Sequence, residues 1–238
     1  MPAVELSTDF LADGELEVLG RMPWASNGTF LGCVSGDGVQ AVVVYKPRRG
    51  ERPLWDFPSG TLCEREVASY VLSETLGWSI VPETVLRDGP LGIGSVQRFV
   101  EHDPDEHYFT LLETHLEVFR RFAVFDVLAN NADRKAGHCL RSEADGHVWG
   151  IDHGLTFHPA DKLRTVIWDF AGEHLDGDAL DAVTRVARDA DGVVGEHLAS
   201  LLSPDEIDAL VSRAEQLVRT GRLPEPEPGY HSVPWPLV

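Results

Sequence analysis

Two aspartates near the middle of the chain have the types of neighbours that chemistry on phosphate groups requires. Asp133 follows the polar run Asn130-Asn131-Ala132, and Asp152 follows the apolar run Val148-Trp149-Gly150-Ile151. Phosphoryl transfer needs one carboxylate that orients the attacking hydroxyl and a second that holds the metal ion on the triphosphate. The same residues also fit a polar surface turn followed by an edge strand. The remaining residues decide between these two interpretations.

A histidine in the same loop extends the pattern. Kinase catalytic loops carry an orienting aspartate, then a second metal ligand, then the main metal aspartate at the end of the next strand. Asp133 and Asp152 fit the first and third of these positions, and His138 stands at the second. Imidazole is a poor ligand for Mg²⁺ and a better one for Mn²⁺. The pattern therefore predicts a metal site formed by Asp152 and His138.

Basic residues accompany these acids. Lys46 ends a β-branched run, where its ammonium can reach the phosphates of a nucleotide if a carboxylate holds it there, and Glu66 is the first candidate for that carboxylate, with Glu64 second. Arg134, next to Asp133, is predicted to neutralise the charge that develops on the transferred phosphoryl group. The alternative for Lys46 and Glu66 is an ordinary solvent-exposed charge. For Arg134, and for Lys135 beside it, the alternative is a salt bridge with a neighbouring aspartate.

Further candidates are weaker. Backbone N–H groups of Ser26, Asn27 and Gly28 are predicted to meet phosphate oxygens, as nests of amides do, although a simple turn explains the same residues. His153 and His158 flank the metal aspartate, and single histidines of this kind are more often structural or solvated than ligands.

The elements that must position these residues follow from hydrophobic periodicity. Alternating or β-branched runs predict strands, and apolar residues three or four positions apart predict helices. The first strands are expected to form an antiparallel meander. The predicted strands are 16–19, 30–34, 39–45, 85–86 and 93–100, with a small hairpin of 138–140 and 148–151; the predicted helices are 62–76, 111–130, 178–190 and 204–220.

This order of elements predicts an α+β fold in two lobes, with an antiparallel β-rich N-lobe over 1–104 and a mainly helical C-lobe over 105–238. The site is expected in the cleft between them. The apolar end of the tail, 224–238, is expected to be ordered against the body, with Trp235 buried either in the cleft or on a flank of the larger lobe.

Composition excludes several classes of protein. A net charge of −19 repels nucleic acid and anionic lipid unless a local basic patch overrides it. The one weak candidate for such a patch is the group Lys46, Arg48, Arg49 and Arg52, and a role in phosphate handling explains it as well. No apolar run is long enough to span a membrane, and the first residues do not have the pattern of a signal peptide. Three cysteines without metal-ligand spacing favour a reducing cytoplasm. Neither a nucleic-acid partner nor stable membrane insertion is expected, and the oligomeric state is left open.

Four segments in order resemble a known family: 80–84, 94–101, 126–134 and 151–159. They are similar to segments of the type II phosphatidylinositol 4-kinases and of the broader phosphatidylinositol 3-/4-kinase-like superfamily, and the chain resembles an actinobacterial branch of that superfamily. The resemblance implies a protein-kinase-like fold with an ATP cleft, Lys46 on the phosphates, and a hinge that faces adenine through Gln97, Phe99 and Val100. It also implies Asp133 as the catalytic aspartate and Asp152 as a metal ligand.

One departure from the family's pattern is His138, where the family usually has asparagine. The expected function is an ATP-dependent kinase that uses Mg²⁺ or Mn²⁺ and acts on a hydroxyl of a protein or small molecule. The alternative is a pseudokinase, a nucleotide-binding scaffold with an altered second metal site. Transfer of AMP is a further alternative. A phosphoinositide substrate is less expected, because the cysteine-rich and basic membrane-facing segments of the lipid kinases are missing.

Overall fold

The computed structural model describes residues 7–23, 27–188, 192–227 and 231–238. Within them the chain forms a five-stranded antiparallel sheet, a two-stranded hairpin and seven α-helices, so the α+β prediction is confirmed. The strands are β1 (Glu15–Arg21), β2 (Phe30–Gly36), β3 (Val39–Pro47), β4 (Thr84–Arg87), β5 (Gly94–Arg98), β6 (Cys139–Arg141) and β7 (Val148–Gly150). The helices are α1 (Thr8–Asp13), α2 (Leu62–Leu76), α3 (Tyr108–Leu111), α4 (Leu116–Ala129), α5 (Gly177–Arg188), α6 (Val193–Ala199) and α7 (Pro204–Thr220).

The large sheet presents Lys46 at its end. Its order is β1-β2-β3-β5-β4, so the predicted meander is confirmed and β5 inserts between β3 and β4. Because side chains alternate along a strand, Val43 and Tyr45 of β3 enter the small core beneath α1, while Lys46 projects from the opposite face. Lys46 pairs with Ser95 of β5 in the register.

Helix α2 has the bounds that the sequence predicts. It ends where Gly77 adopts a left-handed conformation with a φ of 72°, and the Gly77 N–H donates to the Glu74 carbonyl. Its apolar residues Ala68, Leu72 and Leu76 are buried in a core that also contains residues of α4, α5 and α7. Helix α2 therefore lies in the N-terminal part of the sequence but packs against the helices of the C-terminal part.

Other boundaries differ from the prediction. The helix expected over 111–130 starts only at Leu116, because residues 112–114 tighten into a 3-10 turn and the His115 backbone leaves the helical region. Helices α1 and α6 were not predicted, since both are too short for a periodic pattern. Helix α7 was predicted correctly, including its capping box of Ser203 and Glu206.

The C-terminal residues lie against the middle of the chain. The Ala136 N–H donates to the Leu237 carbonyl at 2.8 Å, and the Ser232 carbonyl accepts from Thr165 N–H at 3.0 Å and from Trp168 Nε1 at 2.9 Å. The tail is therefore ordered as predicted over 231–238. The predicted burial of Trp235 is wrong, because 87% of the residue is exposed and the backbone makes the contacts. No helix in the described residues is long and apolar enough to cross a membrane.

Candidate active site

Lys46 connects three separate elements at the edge of the sheet. Its Nζ forms an ion pair with Glu66 of α2 and donates to Asp152 Oδ1 at 2.9 Å. Burial lowers the pKa of Lys46, but the carboxylates of Asp152 and Glu66 outweigh it and raise the pKa above its ordinary value. Lys46 is therefore a permanent cation. The structure brings Lys46, Glu66 and Asp152 together, and Glu64 instead pairs with Arg48.

Asp152 follows strand β7 in an unusual backbone conformation. Its φ is 59°, in the left-handed region that few residues other than glycine and asparagine adopt. The next backbone N–H, of His153, donates to Glu66 Oε2 at 2.9 Å, so Glu66 holds both Lys46 and the turn that carries Asp152. The Lys46 ammonium holds the pKa of Asp152 well below its usual range. Since half of its side chain is exposed, this carboxylate is ionised and open to a ligand.

His138 faces the same aspartate. Its Nε2 lies 3.5 Å from Asp152 Oδ2. Burial lowers the pKa of His138 to about 4, with Asp152 opposing the shift, so the imidazole is neutral near pH 7. A neutral imidazole can ligate a metal, whereas an imidazolium cannot. The pair thus has the protonation states that a shared cation needs.

Asp133 lies in the loop after α4. Its backbone N–H donates to Asn131 Oδ1 at 3.0 Å, and its Oδ2 lies 3.0 Å from the Lys135 ammonium. Burial raises the pKa of Asp133 above its ordinary value, although Lys135 lowers it. A carboxylate with a raised pKa is the more basic one, which is the property that a proton acceptor needs.

Arg134 does not face the open site. It is fully buried, donates to Asp126 through Nε and Nη2, and approaches His153 Nε2 at 2.7 Å. The predicted contact with a transferred phosphoryl group does not match this position, because the guanidinium is enclosed by protein groups. Its Nη1 lies 3.3 Å from the carbonyl oxygen of Ile151, so it contacts the backbone just before Asp152.

Sequence reasoning assigned no role to Asp126, yet it organises this interior. The buried carboxylate accepts from Arg134, from Asn131 Nδ2 at 3.0 Å and from Thr165 Oγ1 at 3.0 Å. These bonds fix the loop on which Asp133 stands. An acid between Phe125 and Val127, within the apolar second half of α4, was the available signal, because a buried charge requires partners.

The predicted phosphate nest is not open to a ligand in its described part. Ser26 lies outside the described residues. The Gly28 N–H donates to the Gly50 carbonyl at 2.8 Å, and Asn27 Oδ1 accepts from the Arg52 backbone at 3.0 Å. A Cβ on Gly28 would stand 2.9 Å from the Gly50 Cα, so the glycine permits this close approach. The segment serves here as a packing contact between two loops.

The predicted hinge lies at the end of β5 and just after it. Gln97 is buried, and its amide donates to Thr84 Oγ1 at 2.8 Å. The Phe99 N–H donates to the Val42 carbonyl at 3.1 Å, and the Val100 carbonyl lies 2.9 Å from His102 Nδ1. The Gln97 amide, the Phe99 N–H and the Val100 carbonyl thus each have a partner within the protein. Their contact with adenine stays a prediction.

The donor set fits a divalent cation only in part. Asp152 supplies an ionised oxygen ligand and His138 a neutral nitrogen, but within the described ranges no group of three or more His, Cys, Asp or Glu side chains forms a complete site. A cation held there would need further ligands from nucleotide phosphates and water, as Mg²⁺ and Mn²⁺ in phosphate sites usually have. The nitrogen donor favours Mn²⁺.

Comparison with known sequences places the chain in a family. The model of the phosphatidylinositol 3- and 4-kinase family matches residues 67–171, a range that includes Asp133 and Asp152. Protein Rv2133c of Mycobacterium tuberculosis is 44% identical, over 95% of this chain and 93% of its own length.

Solved structures of kinases share the fold. The proinflammatory kinase CtkA of Helicobacter pylori superimposes with a TM-score of 0.52 at 14% identity, over 90% of this chain and 94% of its own. The Golgi casein kinase gives a TM-score of 0.57 at 14% identity, over 89% of this chain and 72% of its own. A second structure of the Golgi casein kinase, with Mn/ADP bound, gives 0.56 at 13% identity, over 89% and 74%. At this identity the likeness concerns the fold.

Proposed function

The chain belongs to the phosphatidylinositol 3- and 4-kinase-like superfamily, and from this premise we propose that it is an active ATP-dependent kinase. The observation that carries the proposal is the position of Lys46, which reaches Glu66 of α2 and Asp152 after β7 from the end of β3. Three charged groups from distant parts of the sequence converge there. A lysine so held can bind the phosphates of ATP, and the neighbouring acid can hold a metal ion.

The acceptor is a hydroxyl compound in this proposal. Asp133 accepts the hydroxyl proton while the hydroxyl oxygen forms a bond to the γ-phosphorus. The bond from that phosphorus to the β–γ bridging oxygen breaks, and ADP leaves with the electron pair. The raised pKa of Asp133 supports the role of proton acceptor. We assign a positioning role to Arg134, because it is buried against Asp126 and contacts the backbone before Asp152.

Asp152 and His138 would hold the divalent cation, Mg²⁺ or Mn²⁺. When bound, the cation supplies positive charge to the phosphate oxygens. Lys46 supplies a second positive charge from the sheet. The Golgi casein kinase structure that contains Mn/ADP supports, by likeness of fold, the use of a nucleotide with a divalent metal.

A pseudokinase is the second candidate function. His138 favours it, because imidazole at this position weakens binding of Mg²⁺. The ionised Asp152 and the basic Asp133 favour activity.

Thermal unfolding with nucleotide tests the proposal. Saturating ATP with Mn²⁺ is expected to stabilise the fold by about 2 to 3 kcal/mol at a hundredfold excess over the dissociation constant. Asp152→Ala is expected to lose the metal-dependent part of this effect. Asp208→Ala, at an exposed position of α7, is the matched control and is expected to keep it. An unchanged melting temperature of the wild type with ATP and either metal would contradict the proposal.

A further inference from the structure

A cavity of about 200 Å³ lies in the loop between β3 and α2. Its rim carries Arg48, Arg49 and Arg52, and its apolar floor contains Phe57 and Leu62. The chain as a whole has a net charge of −19. Three guanidinium groups around one small cavity are therefore a local reversal of the overall charge.

The guanidinium groups differ in their partners. Arg48 pairs with Glu64 through Nη2, while its Nε is buried without a hydrogen-bond partner in the described residues. Arg49 and Arg52 are exposed, and within the same residues neither has an ion-pair partner. Unpaired arginines beside a cavity bind phosphate or carboxylate groups well, because their N–H donors match the geometry of those anions.

The acidic residue of the cavity, Glu51, contacts the start of α2. Glu51 Oε1 accepts from the Cys63 backbone N–H at 3.0 Å, in the first turn of α2. A carboxylate at that end of a helix is stabilised by the helix dipole. Within the described residues Glu51 forms no ion pair with Arg49 or Arg52, but its charge, with Oε2 buried and lacking a hydrogen-bond partner there, lowers the local positive potential.

The cavity has a defined shape. Gly60 has a φ of 83°, and a Cβ there would stand 3.2 Å from Cδ of Arg48, so the glycine leaves room for that side chain. Phe57 is buried, and the Arg65 guanidinium lies over its ring at 5.1 Å from the centroid. The floor is consequently held in place by packing.

The cavity is connected to the candidate active site through the chain and through packing of its floor. Arg48 follows Lys46 by two positions in the chain. Phe57 and Leu62 of the floor form a small cluster with Ala132, which is the residue before Asp133. The floor of the cavity therefore packs against the loop that carries the proposed proton acceptor, and its rim follows the nucleotide lysine in the chain.

From this geometry we propose that the cavity binds an anionic group of the acceptor, which is a hydroxyl compound carrying a phosphate monoester. That the bound compound is the phosphate acceptor rests on the proposed kinase function, whereas the anion site itself rests on the arginines alone. The apolar floor accommodates the carbon skeleton, and Arg49 and Arg52 bind the anion at the rim.

Binding of inorganic phosphate, measured by calorimetry without nucleotide, tests the site. The wild type is expected to bind, and Arg49→Ala/Arg52→Ala is expected to bind roughly tenfold or more weakly, because two charge-assisted contacts are lost. Arg121→Ala/Arg219→Ala removes the same charge at exposed positions of α4 and α7 and is expected to bind like the wild type. Equal weakening in both double variants, or no phosphate binding by the wild type, would overturn the proposal.

Two further arms locate the anion. Lys46→Ala is expected to retain phosphate binding. If this variant no longer binds phosphate, the anion lies at the nucleotide position, and a separate site is refuted. Co-sedimentation with phosphatidylcholine vesicles that contain a phosphatidylinositol phosphate, dependent on Arg49 and Arg52, would identify a lipid headgroup as the source. Phosphate binding without such co-sedimentation would identify a soluble compound.

The proposed function fails independently of this site. If ATP with metal does not stabilise the wild type while phosphate binding requires Arg49 and Arg52, the anion site stands and its role for a phosphate acceptor is refuted. If ATP stabilises the Arg49→Ala/Arg52→Ala variant as it does the wild type while phosphate no longer binds, both the nucleotide site and the separate anion site are supported.

Discussion

At the scale of single residues, the site contains two carboxylates whose pKa values are shifted in opposite directions. The Lys46 ammonium lowers the pKa of Asp152, and burial raises the pKa of Asp133. Opposite shifts of two carboxylates in one site permit two roles, one as a ligand and one as a proton acceptor.

Asp133→Asn is expected to bind ATP almost normally and to lose turnover by roughly 10²- to 10⁴-fold, the usual size of a general-base contribution. The amide keeps the shape of the side chain and cannot accept the proton. The rate of ADP formation in the presence of an acceptor, or without one if the enzyme hydrolyses ATP, measures the effect. An equal loss of ATP affinity would instead indicate that Asp133 supports the nucleotide or the fold.

His138→Asn is expected to reduce a preference for Mn²⁺ over Mg²⁺. Nitrogen of imidazole suits Mn²⁺ better than Mg²⁺, and an amide oxygen suits both. ATP-dependent stabilisation measured with each metal gives the preference of wild type and variant. His197→Asn, at an exposed position of α6, is the control. Identical metal profiles in wild type and His138→Asn would show that His138 is not a ligand.

At the scale of elements, the C-terminal segment 231–238 is held against the rest of the protein by hydrogen bonds of its backbone. Its bonds to Ala136, Thr165 and Trp168 bind it beside the loop of Asp133 and His138, while the Trp235 side chain stays exposed. Backbone hydrogen bonds therefore position the tail, and burial of its large side chains contributes little.

Deletion of 231–238 is expected to lower the stability by about 2 to 3 kcal/mol, since three hydrogen bonds are lost at roughly 1 kcal/mol each. ATP affinity is expected to stay unchanged. Trp235→Ala is the matched control, with an expected melting temperature close to that of the wild type. Tighter ATP binding by the truncated chain without loss of stability would instead identify the tail as a plug of the cleft.

At the scale of the whole molecule, a buried ion pair joins a helix of the N-terminal part of the chain to a helix of the C-terminal part. Arg65 of α2 pairs with Glu206 of α7 and donates to the Thr156 carbonyl at 2.6 Å. Both side chains are almost completely buried. The same Glu206 accepts from the Ser203 N–H at 2.8 Å, so it also caps α7. This pair fixes α2, and with it Glu66, against the helices.

Arg65→Met is expected to lower the free energy of unfolding by about 3 to 5 kcal/mol, because it leaves Glu206 charged and buried without its partner. Arg120→Met is the control, since Arg120 pairs with Glu117 and Glu173 at the surface, where an ion pair contributes at most about 1 kcal/mol. Urea unfolding measures both variants. Similar losses in the two would show that burial of the Arg65 pair has no special effect.

The sequence by itself determined the elements that carry strong local signals. Short apolar or alternating runs predicted β1 and β2, a β-branched run predicted β3, and a glycine stop and a capping box predicted the bounds of α2 and α7. Ordered motifs predicted the superfamily, and the family comparison confirmed it. These features depend on neighbours in the chain, which is why a single sequence shows them.

Only the tertiary structure decided which residues face the site. Arg134 and Asp126 are both charged, yet they pair in the interior, and the Gly28 N–H bonds to Gly50. The sequence showed a short basic run at Arg48, Arg49 and Arg52, but not that these residues line a cavity, because the cavity's floor joins residues far apart in the chain. Local patterns fix the strands and helices, but burial and pairing of charges depend on contacts between distant segments, and these contacts exist only after folding.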